Sequence, residues 1–124
     1  MTHTAPSNEA VQSAIHQAAQ AWQQASADDF ANLFAASGVL IVPGSRWIGP
    51  TAIRQAFNDF FATKTDVLIE VRQMVIQGQH AMVEWGWSDR SRETGARSHA
   101  EDAIAIDFDP AGKILRWREY IDAA

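Results

Sequence analysis

The chain has 124 residues, of which 47% are hydrophobic and 20% are charged, and its net charge is −5. This length fits one domain with a single core, and no apolar run approaches the ~18 residues that a membrane span needs. Lysines and arginines are scattered, which argues against nucleic acid because phosphate binding needs a basic stripe. Zero cysteines exclude disulfides and thiolate chemistry. We expect a cytoplasmic protein, since the N-terminus does not resemble a signal peptide.

The first part of the chain predicts helices. Residues 1–7 are expected to form a flexible polar tail, and residues 8–124 a single domain. Apolar side chains recur at a spacing of 3.6 residues over residues 8–24, which predicts an amphipathic helix beginning at an Asn8 cap. A second helix, capped at Ser26, is expected to continue as far as Ala36.

A short strand and a third helix follow. The β-branched content of residues 39–42 predicts a strand, and residues 45–50 are expected to form a loop. A helix then opens at Pro50 or Thr51, and its aromatic stripe includes Phe57 and Phe61.

The pattern then changes to strands. Alternating segments separated by turn residues predict a four-stranded antiparallel meander over residues 67–77, 81–88, 99–108 and 114–121. Three helices followed by this meander indicate an α+β fold with the helices on one face of a curved, mostly antiparallel sheet.

The last two strands contain the sharpest chemical feature of the sequence. If the turn between them is centred on Pro110 and Ala111, residues whose numbers sum to 221 lie opposite one another. This register pairs Ile104 with Trp117, and it pairs the two carboxylates Asp102 and Glu119.

Two adjacent carboxylates in an apolar stripe would have unusual chemistry. Repulsion between them and their removal from water would both raise a pKa, so one of them would hold its proton near neutral pH. Such a pair can act as base and acid in enolisation, aldol closure or dehydration. The alternatives are two hydrated groups at the mouth of a pocket, or a salt bridge to Arg72, Arg97 or Arg118.

Three motifs carry a resemblance to a known family. They are the segment D-x-x-x-L-F-A at residues 29–35, G-x-x-A-I-R entering a helix at residues 49–57, and G-K-I-x-x-W-R-E-Y-I-D at residues 112–122. Together they resemble the SnoaL-like group of the nuclear transport factor 2-like superfamily, over nearly the whole chain from about residue 10. The resemblance implies a cone-shaped α+β barrel with an apolar pocket between helices and sheet. It also implies a homodimer through the outer face of the sheet.

The catalytic residues of two related enzyme groups are not intact. The base, tyrosine and aspartic acid of ketosteroid isomerases align with Val42, Ala18 and Ile104. The arginine and aspartate of the middle strand in limonene-epoxide hydrolases align with Trp85 and Trp87. The third hydrolase carboxylate aligns with Glu119, which implies that Glu119 points into the pocket. The aspartate of SnoaL-type polyketide cyclases has no clear counterpart.

We therefore predict a pocket protein that binds a small, largely apolar molecule and needs no cofactor. Asp102 and Glu119 are the candidate catalytic residues of an isomerase, cyclase or dehydratase/hydrolase type of reaction. No metal is expected, because the four histidines show no ligand spacing. The alternative is a non-catalytic ligand-binding or dimeric association domain of the same fold. The predicted pocket walls are Trp22, Trp47, Phe57, Phe61, Trp85, Trp87, Ile104 and Trp117.

Overall fold

A computed structural model describes residues 5–123. Its elements, in chain order, are α1 (Asn8–Gln23), α2 (Ala27–Ala31), β1 (Phe34–Val42), β2 (Ser45–Ile48), α3 (Pro50–Thr63), β3 (Lys64–Gln77), β4 (His80–Ser91), β5 (Arg97–Phe108) and β6 (Ile114–Ala123). No helix among the described residues has the length and apolar character that crossing a membrane requires. The tail predicted over residues 1–7 lies partly outside the described residues.

The six strands form one mixed sheet, and the predicted α+β architecture is confirmed. The strand order is β2-β1-β6-β5-β4-β3, so β2 and β3 are the open edges of the sheet. Neighbouring strands pair antiparallel, except that β1 and β6 run parallel. The predicted meander of β3 to β6 is therefore present. The hairpin of β1 and β2 enlarges the sheet by pairing with β6.

The helices cover one face of the sheet, which we call the inner face. Helix α1 buries the apolar positions that its periodicity predicts, including Val11, Ile15 and Trp22. Its N-cap is Ser7 and not the predicted Asn8, since the Ser7 hydroxyl accepts a hydrogen bond from the Ala10 amide. The inner face of β4 and β5 meets this helical layer with residues such as Val83 and Ile104, which are fully buried.

The second helix is shorter than predicted. It ends at Ala31, and Phe34 already begins β1, whereas the sequence pattern favours helix as far as Ala36. Tertiary pairing overrides the local pattern here: the Ile114 amide donates to the Leu33 carbonyl at 2.9 Å, and Phe34 pairs with Ile114. Residues 34–36, which the pattern assigns to the helix, therefore lie inside β1.

The segment predicted as a loop contains strand β2. A two-residue turn of Pro43 and Gly44 places Ser45 opposite Val42, and Gly44 adopts a φ of 81°. This positive φ suits glycine, which has no Cβ to clash with the backbone. The Pro-Gly turn thus starts a hairpin instead of ending an isolated strand.

The register predicted for the last hairpin is wrong by two residues. Ile104 pairs with Glu119, and Asp102 pairs with Ile121. The turn is one residue longer than assumed, because the Asp109 amide bonds to the Lys113 carbonyl at 2.7 Å around three intervening residues. An irregularity after Asp107 adds the second residue. A shift of two residues leaves Asp102, Ile104, Trp117 and Glu119 on their predicted face.

Substitution of Gly38 tests the junction between β1 and β6. A Cβ at this position would lie 2.6 Å from the Ile114 carbonyl oxygen and 3.0 Å from that of Ala35. Because backbone would have to move, Gly38→Ala is expected to lower the free energy of unfolding by about 1–3 kcal/mol in urea denaturation. The exposed neighbour provides the control: Ser37→Ala should change it by less than about 0.5 kcal/mol. Equal effects of the two substitutions would contradict this packing.

Candidate functional site

The two predicted catalytic carboxylates lie on the inner face of adjacent strands. Asp102 is in β5 and Glu119 is in β6. They are diagonal neighbours, since Glu119 pairs with Ile104 and Asp102 pairs with Ile121. Diagonal positions on an antiparallel pair are about 7–8 Å apart, against about 5 Å for opposed residues. The structure therefore brings the two acids near each other, but not into the directly opposed arrangement.

Asp102 is a buried acid with one free oxygen. Its side chain is directly opposite Trp85 in β4, and the Trp85 indole N–H donates to Oδ2 at 3.1 Å. The residue is only 5% exposed, and Oδ1 is buried without a hydrogen-bond partner. Desolvation raises the pKa of Asp102 from its ordinary value of 3.8 to about 6, with a smaller increase from the charge of Glu101 and an opposing effect of the Trp85 bond.

Glu119 is held in a similar way. The indole N–H of Trp117, two residues earlier on the same face of β6, donates to Glu119 Oε2 at 2.8 Å. Desolvation raises the pKa of Glu119 from 4.5 to about 7; the Trp117 bond opposes this shift and the charge of Asp102 adds to it. The charge of Asp102 thus acts on Glu119 at the diagonal position. In each acid, one of the two carboxyl oxygens accepts a hydrogen bond from an indole.

The predicted wall residues come together as part of one aromatic core. Trp22, Phe57, Trp85, Ile104 and Trp117 are buried, while Trp47, Phe61 and Trp87 are partly buried and pack against them. Their rings are closely packed: the centroids of Trp22 and Phe57 are 4.0 Å apart, and those of Trp85 and Trp117 are 5.7 Å apart. These side chains occupy the space between helices and sheet.

Surface cavities lie near both acids. A cavity of about 480 Å³ lies where the turn between β1 and β2 meets β6, and Glu119 is among its lining residues. Another of about 390 Å³ is lined by Asp102 and Ile121 together with residues of the outer face. Ile121 is 42% exposed, so the sheet is open to solvent beside the acids at the end of β6.

The salt bridges considered from the sequence are not formed. Arg72 binds Glu101 through two hydrogen bonds of 2.8 Å, and Arg97 binds Asp66 and the Ser88 hydroxyl. Within residues 5–123, no ion pair includes Asp102 or Glu119. No group of three or more histidine or carboxylate side chains in this range could hold a metal ion.

The structure contains a third indole–carboxylate pair that was not predicted from the sequence. Trp87 donates to Asp89 Oδ2 at 2.8 Å, and Asp89 is 7% exposed. Its other oxygen has no hydrogen-bond partner and lies 4.0 Å from the Lys64 ammonium nitrogen. The sequence contains a pattern that could have predicted this pair. Trp-x-Asp at residues 87–89 and Trp-x-Glu at residues 117–119 each place an indole and a carboxylate on one face of a strand.

Comparison with solved structures identifies relatives of the same fold. A protein with a ketosteroid isomerase-like fold from Catenulispora acidiphila, in complex with trimethylamine, superposes with a TM-score of 0.81 at 17% identity, covering 86% of this chain and 83% of the relative. An epoxide hydrolase of the limonene-epoxide hydrolase type from M. tuberculosis gives a TM-score of 0.81 at 17% identity, covering 94% and 86%. An epoxide hydrolase/cyclase-like enzyme of pyran ring formation in salinomycin gives 0.81 at 16%, covering 92% of both chains.

The sequence itself matches one family model. A comparison with curated proteins gives no match. The model of the SnoaL-like domain matches residues 15–117, which include Asp102 and end two residues before Glu119. Because this match spans most of the chain and the solved relatives share its fold, the chain belongs to the SnoaL-like domain family, within the nuclear transport factor 2-like superfamily.

Proposed function

We propose that the protein performs cofactor-free acid/base chemistry on a small, largely apolar molecule, with Asp102 and Glu119 as its proton-exchanging groups. The observation that carries the proposal is the placement of two desolvated acids on one face of neighbouring strands, with pKa values raised to about 6 and about 7. A catalytic acid or base works best when its pKa is near the working pH.

The two acids suit different roles at neutral pH. Asp102, with a pKa of about 6, is mainly ionised and can take a proton from carbon or oxygen. Glu119, with a pKa of about 7, retains a proton in a large fraction of molecules and can donate it. A base and an acid on one face support enolisation, aldol closure or dehydration, which are isomerase, cyclase and dehydratase types of reaction.

The open end of β6 is the proposed place of contact. A ligand lying on Ile121 would approach Asp102 from the neighbouring strand, after a side-chain movement that uncovers the buried Oδ1, and Glu119 from the same strand face. The fully buried Ile104, Trp85 and Trp117 would form the apolar floor behind it. The other predicted wall residues would pack behind this floor and would contact a larger ligand only after side chains move. They are Trp22, Trp47, Phe57, Phe61 and Trp87.

The second candidate is a non-catalytic ligand-binding or association domain of the same fold. The close packing of Trp22 against Phe57, with 4.0 Å between the centroids, favours it because little space is left inside the cone. The small number of polar groups around the acids also favours it, since reactions usually need several converging groups. Under this hypothesis the acids would remain, but no proton would be transferred to a ligand.

A second copy of the chain is the proposed macromolecular partner, in the cytoplasm. Directly paired strand residues share a face, so Arg46 and Arg118, which both pair with Ile41, lie on the outer face. Glu84 lies on the same face in β4, and no ion pair among the described residues includes these three side chains. The outer face beside these charged residues carries Val75, Met82, Ala103, Ala105 and Tyr120.

This arrangement is complementary to itself. A twofold axis running along β5 lays β6 of one copy over β4 of the other, which brings Arg118 near the partner's Glu84.

We expect a mass of two chains in sedimentation equilibrium at micromolar concentration. Glu84→Arg should weaken the association at least about tenfold, and adding Arg118→Glu should restore it. A single-chain mass for the unchanged protein would contradict the dimer.

Exchange of α-protons in a cyclic ketone tests the proposed chemistry. Cyclohexanone in D₂O loses its α-proton signal in NMR spectra when a base forms the enol. We expect acceleration over buffer that is greatest between about pH 6 and 7, where Asp102 is ionised and Glu119 is protonated. Asp102→Asn and Glu119→Gln should each reduce this acceleration about 100-fold.

The control is Asp59→Asn, which changes an exposed carboxylate of α3 and should leave the rate unchanged. Acceleration that survives both Asp102→Asn and Glu119→Gln would contradict the assignment of these residues. No acceleration by the unchanged protein would favour the non-catalytic candidate.

A further inference from the structure

Two buried indoles hold the two acids from fixed positions. Trp85 and Trp117 are each 0% exposed, and their ring centroids are 5.7 Å apart. Trp85 reaches Asp102 across a directly opposed strand pair, and Trp117 reaches Glu119 along its own strand. Because both rings are enclosed and touch each other, neither indole can rotate away from its carboxyl group without displacing the core.

An indole N–H constrains where a carboxyl group can carry its proton. The group is a donor only and cannot accept a hydrogen bond. The oxygen that accepts from it must therefore keep a lone pair directed at the indole, whether the carboxyl group is ionised or neutral. In Asp102 that oxygen is Oδ2, and in Glu119 it is Oε2. Because an unprotonated carboxyl oxygen accepts a hydrogen bond better than a protonated one, the indole favours the proton on the opposite oxygen of each acid.

We propose that Trp85 and Trp117 are positioning residues that select Asp102 Oδ1 and Glu119 Oε1 as the atoms that exchange protons with the ligand. This inference rests on the proposed function. The free oxygen of Asp102 is buried without a hydrogen-bond partner, which is costly for an acceptor. A ligand that presents a hydroxyl or an acidic C–H beside a carbonyl would satisfy it.

The proton transfers balance in this arrangement. Asp102 Oδ1 takes the α-proton, the C–H electron pair forms the enol double bond, and the carbonyl oxygen takes the proton of Glu119 Oε1. Asp102 is then neutral and Glu119 is ionised, so return of the two protons in the reverse sense restores the starting state. The indoles donate throughout and never lose their hydrogens.

The indole N–H signals of the whole protein test this inference without a substrate. In ¹H–¹⁵N spectra, the Trp85 signal should shift with a midpoint of about pH 6 and that of Trp117 with a midpoint of about pH 7, following the acids that they hold. Asp102→Asn should abolish the titration of Trp85 and preserve that of Trp117, and Glu119→Gln should do the reverse. Indole signals that stay constant from pH 4 to 9 while the carboxyl groups titrate would overturn the proposal.

Removal of a donor gives a second test. Trp85→Phe should raise the pKa of Asp102 by about one unit or more, because a hydrogen bond to an ionised group favours ionisation. Trp87→Phe is the matched control, since Trp87 lies on the same strand face but donates to Asp89. Trp87→Phe should leave the titration midpoints of Asp102 and Glu119 within about 0.3 pH units of their values in the unchanged protein. An unchanged Asp102 midpoint in Trp85→Phe would refute the indole's role even if ketone exchange supports the proposed function.

Discussion

Strand β6 pairs in parallel with β1 and antiparallel with β5, and so joins the helical half of the chain to the meander. The join is close: Gly38 in β1 approaches the Ile114 carbonyl so tightly that an added Cβ would clash. Because β6 is held from both sides, the position of Glu119 beside Ile104 follows from the pairing of the whole sheet.

The same sheet sets the electrostatics of the two acids. Asp102 and Glu119 are removed from water by the aromatic layer, and each recovers only one hydrogen bond from an indole. Their pKa values are therefore higher in the folded chain than in the unfolded one. Such groups favour folding below about pH 4, and this contribution is lost as the pH rises through about 6 and 7. Ionisation of either acid thus opposes folding, which is typical of groups kept for function.

The sequence was sufficient to predict which face of a strand carries each of the key side chains, but not which residues pair across the strands. Period-2 alternation placed Asp102, Ile104, Trp117 and Glu119 on one face, and that placement is correct because an error of two residues does not change the face. The register itself depended on the side chain of Asp109, whose Oδ1 accepts from two backbone amides and lengthens the turn. Alternation carries no information on such a turn.

The packing of the core also could not be predicted from the sequence. The pattern indicated that tryptophans line the inner face, but the space that they leave depends on ring orientations, such as the 31° between the planes of Trp22 and Phe57. The end of α2 depended on a distant strand, since Phe34 pairs with Ile114. The family resemblance, in contrast, was readable from three short motifs, which lie at the junction of α2 and β1, at the start of α3 and along β6.

Asp102 and Glu119, two desolvated acids on neighbouring strands, are expected to hold protons near neutral pH. The most direct measurement is the titration of the Asp102 and Glu119 side-chain carboxyl carbons by ¹³C NMR in the intact protein, assigned with Asp102→Asn and Glu119→Gln. We expect midpoints of about 6 for Asp102 and about 7 for Glu119, and the Glu119 midpoint should fall when Asp102 is replaced. Two independent midpoints near the ordinary value of about 4 would contradict this expectation.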